Sequence, residues 1–153
     1  MSAIKPNGAY IVSYARTPIG AFNGVLASFS ATELGSVALK GALERSGIPA
    51  GEVESIYFGN VVSSNLGQNP ARQVALGAGC DANRVIGTTV NKVCASGTKA
   101  LILATQEIRL GEADVVAVVG SESMTNTPFY TPSTRFGAKF GNQSLIDGIV
   151  RDG

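Results

Sequence analysis

Hydrophobic and polar positions along this chain switch between strand-like and helix-like spacing, and the switch points mark out its elements. Residues 9–14 are rich in aromatic and β-branched side chains, which predicts a first strand. Ser30-Ala31-Thr32-Glu33 has capping-box spacing, so a helix should begin after Ser30 and end at Gly47. Within it Leu34, Ala38 and Leu43 share one side, with Glu33, Lys40 and Glu44 opposite, as in an outer helix with one buried stripe. Residues 55–59 read as a second strand. Pro70 suits the first turn of a short helix running through Leu76. Residues 85–90 read as a third strand aimed at Cys94, residues 95–110 as a helix closed by Gly111, and residues 114–119 as a strand buried on both faces.

This β-α-β-α-β-α-β order predicts an α/β fold, a mostly parallel sheet with helices on both faces. The helix over 95–110 is unusual. Ala100, Leu101, Ala104 and Ile108 fill one side, while Ile102, Leu103 and Leu110 fall among the polar positions opposite. A helix that is apolar nearly all round is covered on nearly all sides, so a second layer should press on it. After Val119 the periodicity fades. Residues 125–143 carry Pro128, Pro132, Gly137 and Gly141, and an excursion of that length is expected to be functional or interfacial. Tyr130, Phe136 and Phe140 would be its apolar anchors. A new apolar segment opens at Ser144 and continues through Val150.

Composition narrows the picture. A chain of 153 residues can bury roughly 70% of its unfolded surface, and 44% hydrophobic with 15% charged residues excludes disorder. Charge is sparse beside the usual quarter or so of residues, which suggests that much of the surface is covered. A net charge of +1 without any Lys/Arg run argues against nucleic acid or an anionic membrane as partner. No apolar stretch approaches the roughly 18 residues that a membrane span needs. Met1 to Pro6 shows neither a secretion-signal core nor an Arg-rich leader, so a cytoplasmic address is expected. Cys80 and Cys94 make no disulfide framework and should both be reduced. The chain has no histidine, the commonest acid–base residue near neutral pH, and no Cys/His cluster to hold a metal.

Cys94 is the one candidate nucleophile. A strand-to-helix turn offers free backbone N–H groups and the positive end of a helix, which favour a thiolate. The same N–H groups can stabilise the oxyanion formed when the thiolate attacks a carbonyl. Ala95, Ser96 and Gly97 are small and let a substrate approach. Taken without that setting, Cys94 is equally a small buried hydrophobe, as free cysteines most often are. Cys80 reads as such a structural residue, and Glu122 as a hydrogen-bonded carboxylate supporting a turn. Residues 77–82 match G-x-G-x-x-A, but a helix precedes and a strand follows, the reverse of a dinucleotide site. Asn142-Gln143-Ser144 is a glycosylation sequon that a cytoplasmic chain would not use.

Val90-Asn91-Lys92-Val93-Cys94-Ala95-Ser96-Gly97 resembles the acyl-cysteine signature of the thiolase family. The resemblance extends to Arg16-Thr17-Pro18-Ile19-Gly20, Gly59-Asn60-Val61, Gly67-Gln68-Asn69-Pro70-Ala71-Arg72-Gln73, Gly120-Ser121-Glu122-Ser123-Met124 and Asp147-Gly148 with Arg151-Asp152-Gly153, in family order. Thr98, where a larger apolar residue is common, and Ser121, in place of a glycine, are the departures. The resemblance implies a thiolase-like α/β fold, with residues 1–124 as an N-terminal half-domain lacking its last strand. Residues 125–153 would begin the loop domain and carry a tetramerisation loop.

The activity implied is acetyl-CoA C-acetyltransferase. Cys94 accepts an acetyl group, its N–H serves as an oxyanion donor, and a second acetyl-CoA attacks to give acetoacetyl-CoA. The CoA thioesters are substrates; no cofactor and no metal is implied. The remainder of a thiolase chain, with a histidine, a second cysteine and most of the CoA pocket, is an implied partner, as is assembly into a homotetramer. A place in sterol synthesis by the mevalonate route follows from the same likeness. Two other readings stay open, a degradative 3-ketoacyl-CoA thiolase and a non-catalytic thiolase-fold assembly module.

Overall fold

In the computed structural model, which describes residues 8–153, three parallel strands form the centre of the molecule. The expectation for Met1 to Pro6 lies outside the described residues. β1 (Ser55–Gly59) runs between β2 (Ile86–Val90) and β3 (Val116–Gly120), with Gly59 level with both Val90 and Gly120. Parallel neighbours need crossovers. α2 (Pro70–Gly77) connects β1 to β2, α3 (Ser96–Leu110) connects β2 to β3, and α1 (Ala31–Ser46) precedes β1.

Strand alternation sorts the side chains between two helical layers. Ile56, Phe58, Ala117 and Val119 point to the α1–α2 side and build the core with Leu39, Val74 and Ala75. Ser55 and Gly59 face α3, and Ser55 Oγ donates to Glu107 Oε1 at 2.6 Å. Helices therefore cover both faces of the sheet, as expected.

The caps fall where the sequence puts them. Ser30 Oγ accepts from the Glu33 N–H at 3.2 Å, and the Glu33 carboxylate accepts from the Ser30 N–H at 2.8 Å. Gly47 closes α1 at φ 70°, and Gly111 closes α3 at φ 76°.

Two expectations are corrected. Residues 9–14 do not form a strand: they run without strand pairing, and Tyr10, Ile11 and Val12 lie in the open. A strand needs a hydrogen-bonded neighbour, and a groove of roughly 620 Å³ separates this segment from β3 and α3. Arg45 Nη1 tethers it by donating to the Tyr14 carbonyl at 3.0 Å. The buried line of α1 runs through Ala31, Gly35 and Leu39, while Leu34, Ala38 and Leu43 are half-buried. Gly35 sets that line, because its missing side chain lets α1 approach Val74 and Phe58. On α3, Ala100 and Ala104 are buried against the sheet and Leu101 borders the groove, but nothing among the described residues covers Ile102 or Leu110 on the outer side.

The excursion leaves and returns at one point. β4 (Phe129–Tyr130) pairs antiparallel with β5 (Ile146–Asp147), and α4 (Gly148–Asp152) follows, capped by Asp147. Between them residues 131–145 are exposed throughout, Phe140 at 99%. Tyr130 is no free anchor: it is half-buried, with its hydroxyl donating to Ser64 Oγ.

Gly59 is the tightest point of the sheet. A Cβ there would lie 2.6 Å from the Gly97 nitrogen and 2.7 Å from the Ser96 carbonyl carbon, both backbone atoms that cannot yield. Replacing Gly59 by Ala should destabilise the fold by about 1–3 kcal/mol or more, read as a lowered urea midpoint. An unchanged midpoint would mean that α3 is not seated on the end of β1.

Candidate active site

The first turn of α3 rests on Gly59, and this places the residue ahead of the helix at the C-terminal edge of the sheet. Ligands of open parallel sheets bind at that edge. β2 ends at Val90, α3 begins at Ser96, and Cys94 stands between them, exposed.

The turn is sharp, and Val93 carries it. Val93 has φ 49°, a left-handed conformation that costs a β-branched residue on the order of 1–3 kcal/mol. Such strain persists only where the surroundings enforce it. Ser96, buried beneath the turn, is one enforcer: its Oγ accepts from the Lys92 N–H at 2.8 Å and donates to the Val93 carbonyl at 2.6 Å. Asn91 is another, its Oδ1 accepting from the Val93 N–H at 2.9 Å. The Ser96 N–H is already committed to the Val93 carbonyl at 3.0 Å. The Cys94 N–H meets no acceptor among the described residues. An exposed thiol beside an unpaired N–H is what attack on a carbonyl requires: a nucleophile, and a donor for the oxygen that becomes negative.

Reading Ala95, Ser96 and Gly97 only as small residues misses the work of Ser96, and reading Asn91 only as part of a signature misses its bond to Val93. The i to i+2 spacing of Asn91 and Val93 is the signal for the latter, since Asn side chains often bond the backbone two residues on. For Ser96 the sequence carries no comparable signal.

Glu122 follows β3 and joins the neighbouring loops. It accepts from Asn60 Nδ2 at 2.7 Å and from the Val61 and Val62 N–H groups at 2.8 and 3.1 Å, the hydrogen-bonded carboxylate expected of it. Ser121, a departure from the family pattern, uses its hydroxyl to bond the Ala31 carbonyl at the start of α1.

Cys80 is buried between α2 and the start of β2, at the opposite end of the sheet from Cys94, and burial pushes its thiol pKa up. The thiolate is the reactive form, so iodoacetamide at neutral pH should modify Cys94 roughly tenfold or more faster than Cys80 in the folded protein. Equal labelling by peptide mass mapping would contradict this assignment of the two sites. Among the described residues no group of three or more His, Cys, Asp or Glu side chains could hold a metal ion, and no helix is long and apolar enough to cross a membrane.

Comparison with known proteins finds relatives over nearly the whole chain. The family described as the thiolase N-terminal domain matches residues 9–153. An acetyl-CoA acetyltransferase of Schizosaccharomyces pombe is 59% identical over 144 residues, covering 94% of this chain and 36% of the relative. A cytosolic acetyl-CoA acetyltransferase of Gibberella zeae is also 59% identical over 144 residues, with the same coverage of 94% and 36%. A thiolase of Ascaris suum, solved in complex with coenzyme A, superposes with a TM-score of 0.90 at 43% identity, over 96% of this chain and 38% of its own. The fold is a parallel α/β sheet that presents an exposed cysteine between a strand and a helix, and this chain belongs to the thiolase family. The chain spans a little over a third of the length of the curated relatives it matches, 36% in the first two.

Proposed function

We propose that this chain is the N-terminal part of an acetyl-CoA C-acetyltransferase, in which Cys94 is the acyl-accepting nucleophile. The observation that carries the reading is an exposed Cys94 at a left-handed elbow, in a chain 59% identical to acetyl-CoA acetyltransferases over nearly its whole length. The Cys94 sulfur attacks the carbonyl carbon of acetyl-CoA, the Cys94 N–H holds the developing oxyanion, and the C–S bond to CoA breaks. The products of this half are acetyl-Cys94 and CoA. Loss of an α-proton from a second acetyl-CoA gives a carbanion that attacks acetyl-Cys94, forming a C–C bond and releasing the cysteine sulfur. The sum is two acetyl-CoA to acetoacetyl-CoA and CoA, with thiolysis as the reverse. Proton transfer falls to a histidine and a second cysteine outside these 153 residues. No cofactor is needed, since the CoA thioesters are substrates.

Several features gain a purpose under this reading. Residues 1–124 form the first half-domain without its last strand, which a later segment of the thiolase chain supplies to the groove between residues 9–15 and β3. The uncovered side of α3 receives the rest of the thiolase chain. Residues 125–153 open the loop domain, and the exposed arm 131–145, with Phe136 and Phe140 at its surface, joins subunits in a homotetramer. The cytosolic description of the Gibberella zeae relative supports a cytoplasmic address and a synthetic role supplying sterol precursors.

The test is an intact-mass measurement on the complete enzyme mixed with acetyl-CoA alone. One acetyl group should appear on the protein, mapping to the Cys94 peptide. Acetylation elsewhere, or none, would overturn the assignment.

A further inference from the structure

The loops that follow the three central strands are joined by one line of hydrogen bonds. Glu122, after β3, gathers Asn60 Nδ2 and the Val61 and Val62 N–H groups at 2.7, 2.8 and 3.1 Å. All three neighbours are donors, and an ionised carboxylate is acceptor-only, so charge and geometry match. With the β1 loop held this way, the Val61 carbonyl accepts from Asn91 Nδ2 at 3.3 Å. Asn91 Oδ1 in turn accepts from the Val93 N–H at 2.9 Å. Val93 is the left-handed residue that turns the chain into Cys94.

Ser96 also holds this turn, but its bonds to Lys92 and Val93 lie inside the turn itself. They fix the shape of the elbow. Placement of the elbow relative to the β1 loop needs a bond that leaves the turn; the Asn60 N–H continues the ladder onto the Val90 carbonyl at 3.1 Å, and Asn91 to Val61 is the side-chain bond that reaches from the turn itself. Glu122 fixes the other end of it. We propose that Glu122 is a positioning residue for Cys94, acting through Val61 and Asn91; this rests on the reading of Cys94 as the acyl acceptor.

The experiment uses the complete transferase and the variant Glu122→Gln, which sets an amide NH2 against at least one of the surrounding donors. Acetyl-Cys94 formation from acetyl-CoA in a single turnover should slow by about tenfold or more, because small misplacements of a reacting atom cost rate heavily. KM should stay within about threefold, since the lost contact acts on alignment rather than on ground-state binding. Iodoacetamide needs only an exposed thiol, so alkylation of Cys94 should change by less than about threefold, and Cys80 should stay unlabelled. Combining Glu122→Gln with Asn91→Ala should slow acetylation no further than the slower single variant, as expected of residues in one line.

Unchanged acetylation, additive effects, or loss accompanied by Cys80 labelling would each overturn the proposal. If the wild type forms no acetyl-cysteine, the transferase reading itself fails. Amide exchange at Val93 then decides whether the line exists: faster exchange by about tenfold in Glu122→Gln supports it, and unchanged exchange overturns it.

Discussion

Replacing Cys94 by Ala in the complete enzyme is expected to lower kcat/KM for acetoacetyl-CoA formation by at least about 10³-fold, because the proposed reaction is divided around that sulfur. Removal of the nucleophile leaves the Cys94 N–H in place, but there is no acyl-enzyme for it to stabilise. The thiolate also leaves readily when the carbon nucleophile attacks, which an alkoxide does not. Cys94→Ser should therefore lose nearly as much as Cys94→Ala while filling almost the same space. Cys80 is the control. It sits in the core at the far end of the sheet, and Cys80→Ala should stay within about threefold of wild type once stability is matched. Steady-state rates with acetyl-CoA check both. Activity in Cys94→Ala above about a tenth of wild type would mean that another group accepts the acetyl.

The parts of this fold that were legible in the sequence are those whose cause is local. The capping box at Ser30, Pro70 at the head of α2, and Gly47 and Gly111 in left-handed caps fix their helices by contacts within a few residues. β1 and β3 were legible because each carries an apolar run, and β2 because Ile86, Thr88, Thr89 and Val90 are β-branched. Residues 9–14 carry the same signal and fail to become a strand, since strand formation depends on a neighbour that the local pattern does not specify. The buried line of α1 was misplaced for a related reason. A hydrophobic pattern ranks Leu34 above Gly35, whereas close packing against Phe58 and Val74 selects the residue with no side chain.

The candidate site divides in the same way. Cys94 could be singled out because its signature is contiguous and sits between a strand and a helix. The line from Glu122 through Val61 and Asn91 to Val93 joins residues from three loops that only the parallel sheet brings together. Glu122 could be read as a hydrogen-bonded carboxylate, but not what it was bonded to.

These 153 residues alone are expected to show no measurable turnover of acetyl-CoA or acetoacetyl-CoA, and to bind hydrophobic dyes or self-associate. The first expectation follows from proton bookkeeping. Condensation needs a base to take the α-proton of the second acetyl-CoA and a group to manage the proton of the attacking thiol. The chain has no histidine, and its other cysteine is buried with a raised pKa at the opposite end of the sheet. The second follows from the surface. The outer edge of β3 lacks a partner strand among the described residues, and an open edge invites pairing with another chain. Beside it Tyr10, Ile11 and Val12 are 70–83% exposed, and Leu101, Ile102 and Leu110 on α3 are 41–61% exposed. That is more large apolar side chain than soluble monomers usually leave uncovered. Turnover, dye fluorescence and light scattering on one preparation test both expectations. Dye binding without turnover supports an N-terminal part that awaits its remaining segments. Robust turnover by these residues alone would place the acid–base groups within them and overturn the proposed division of the active site.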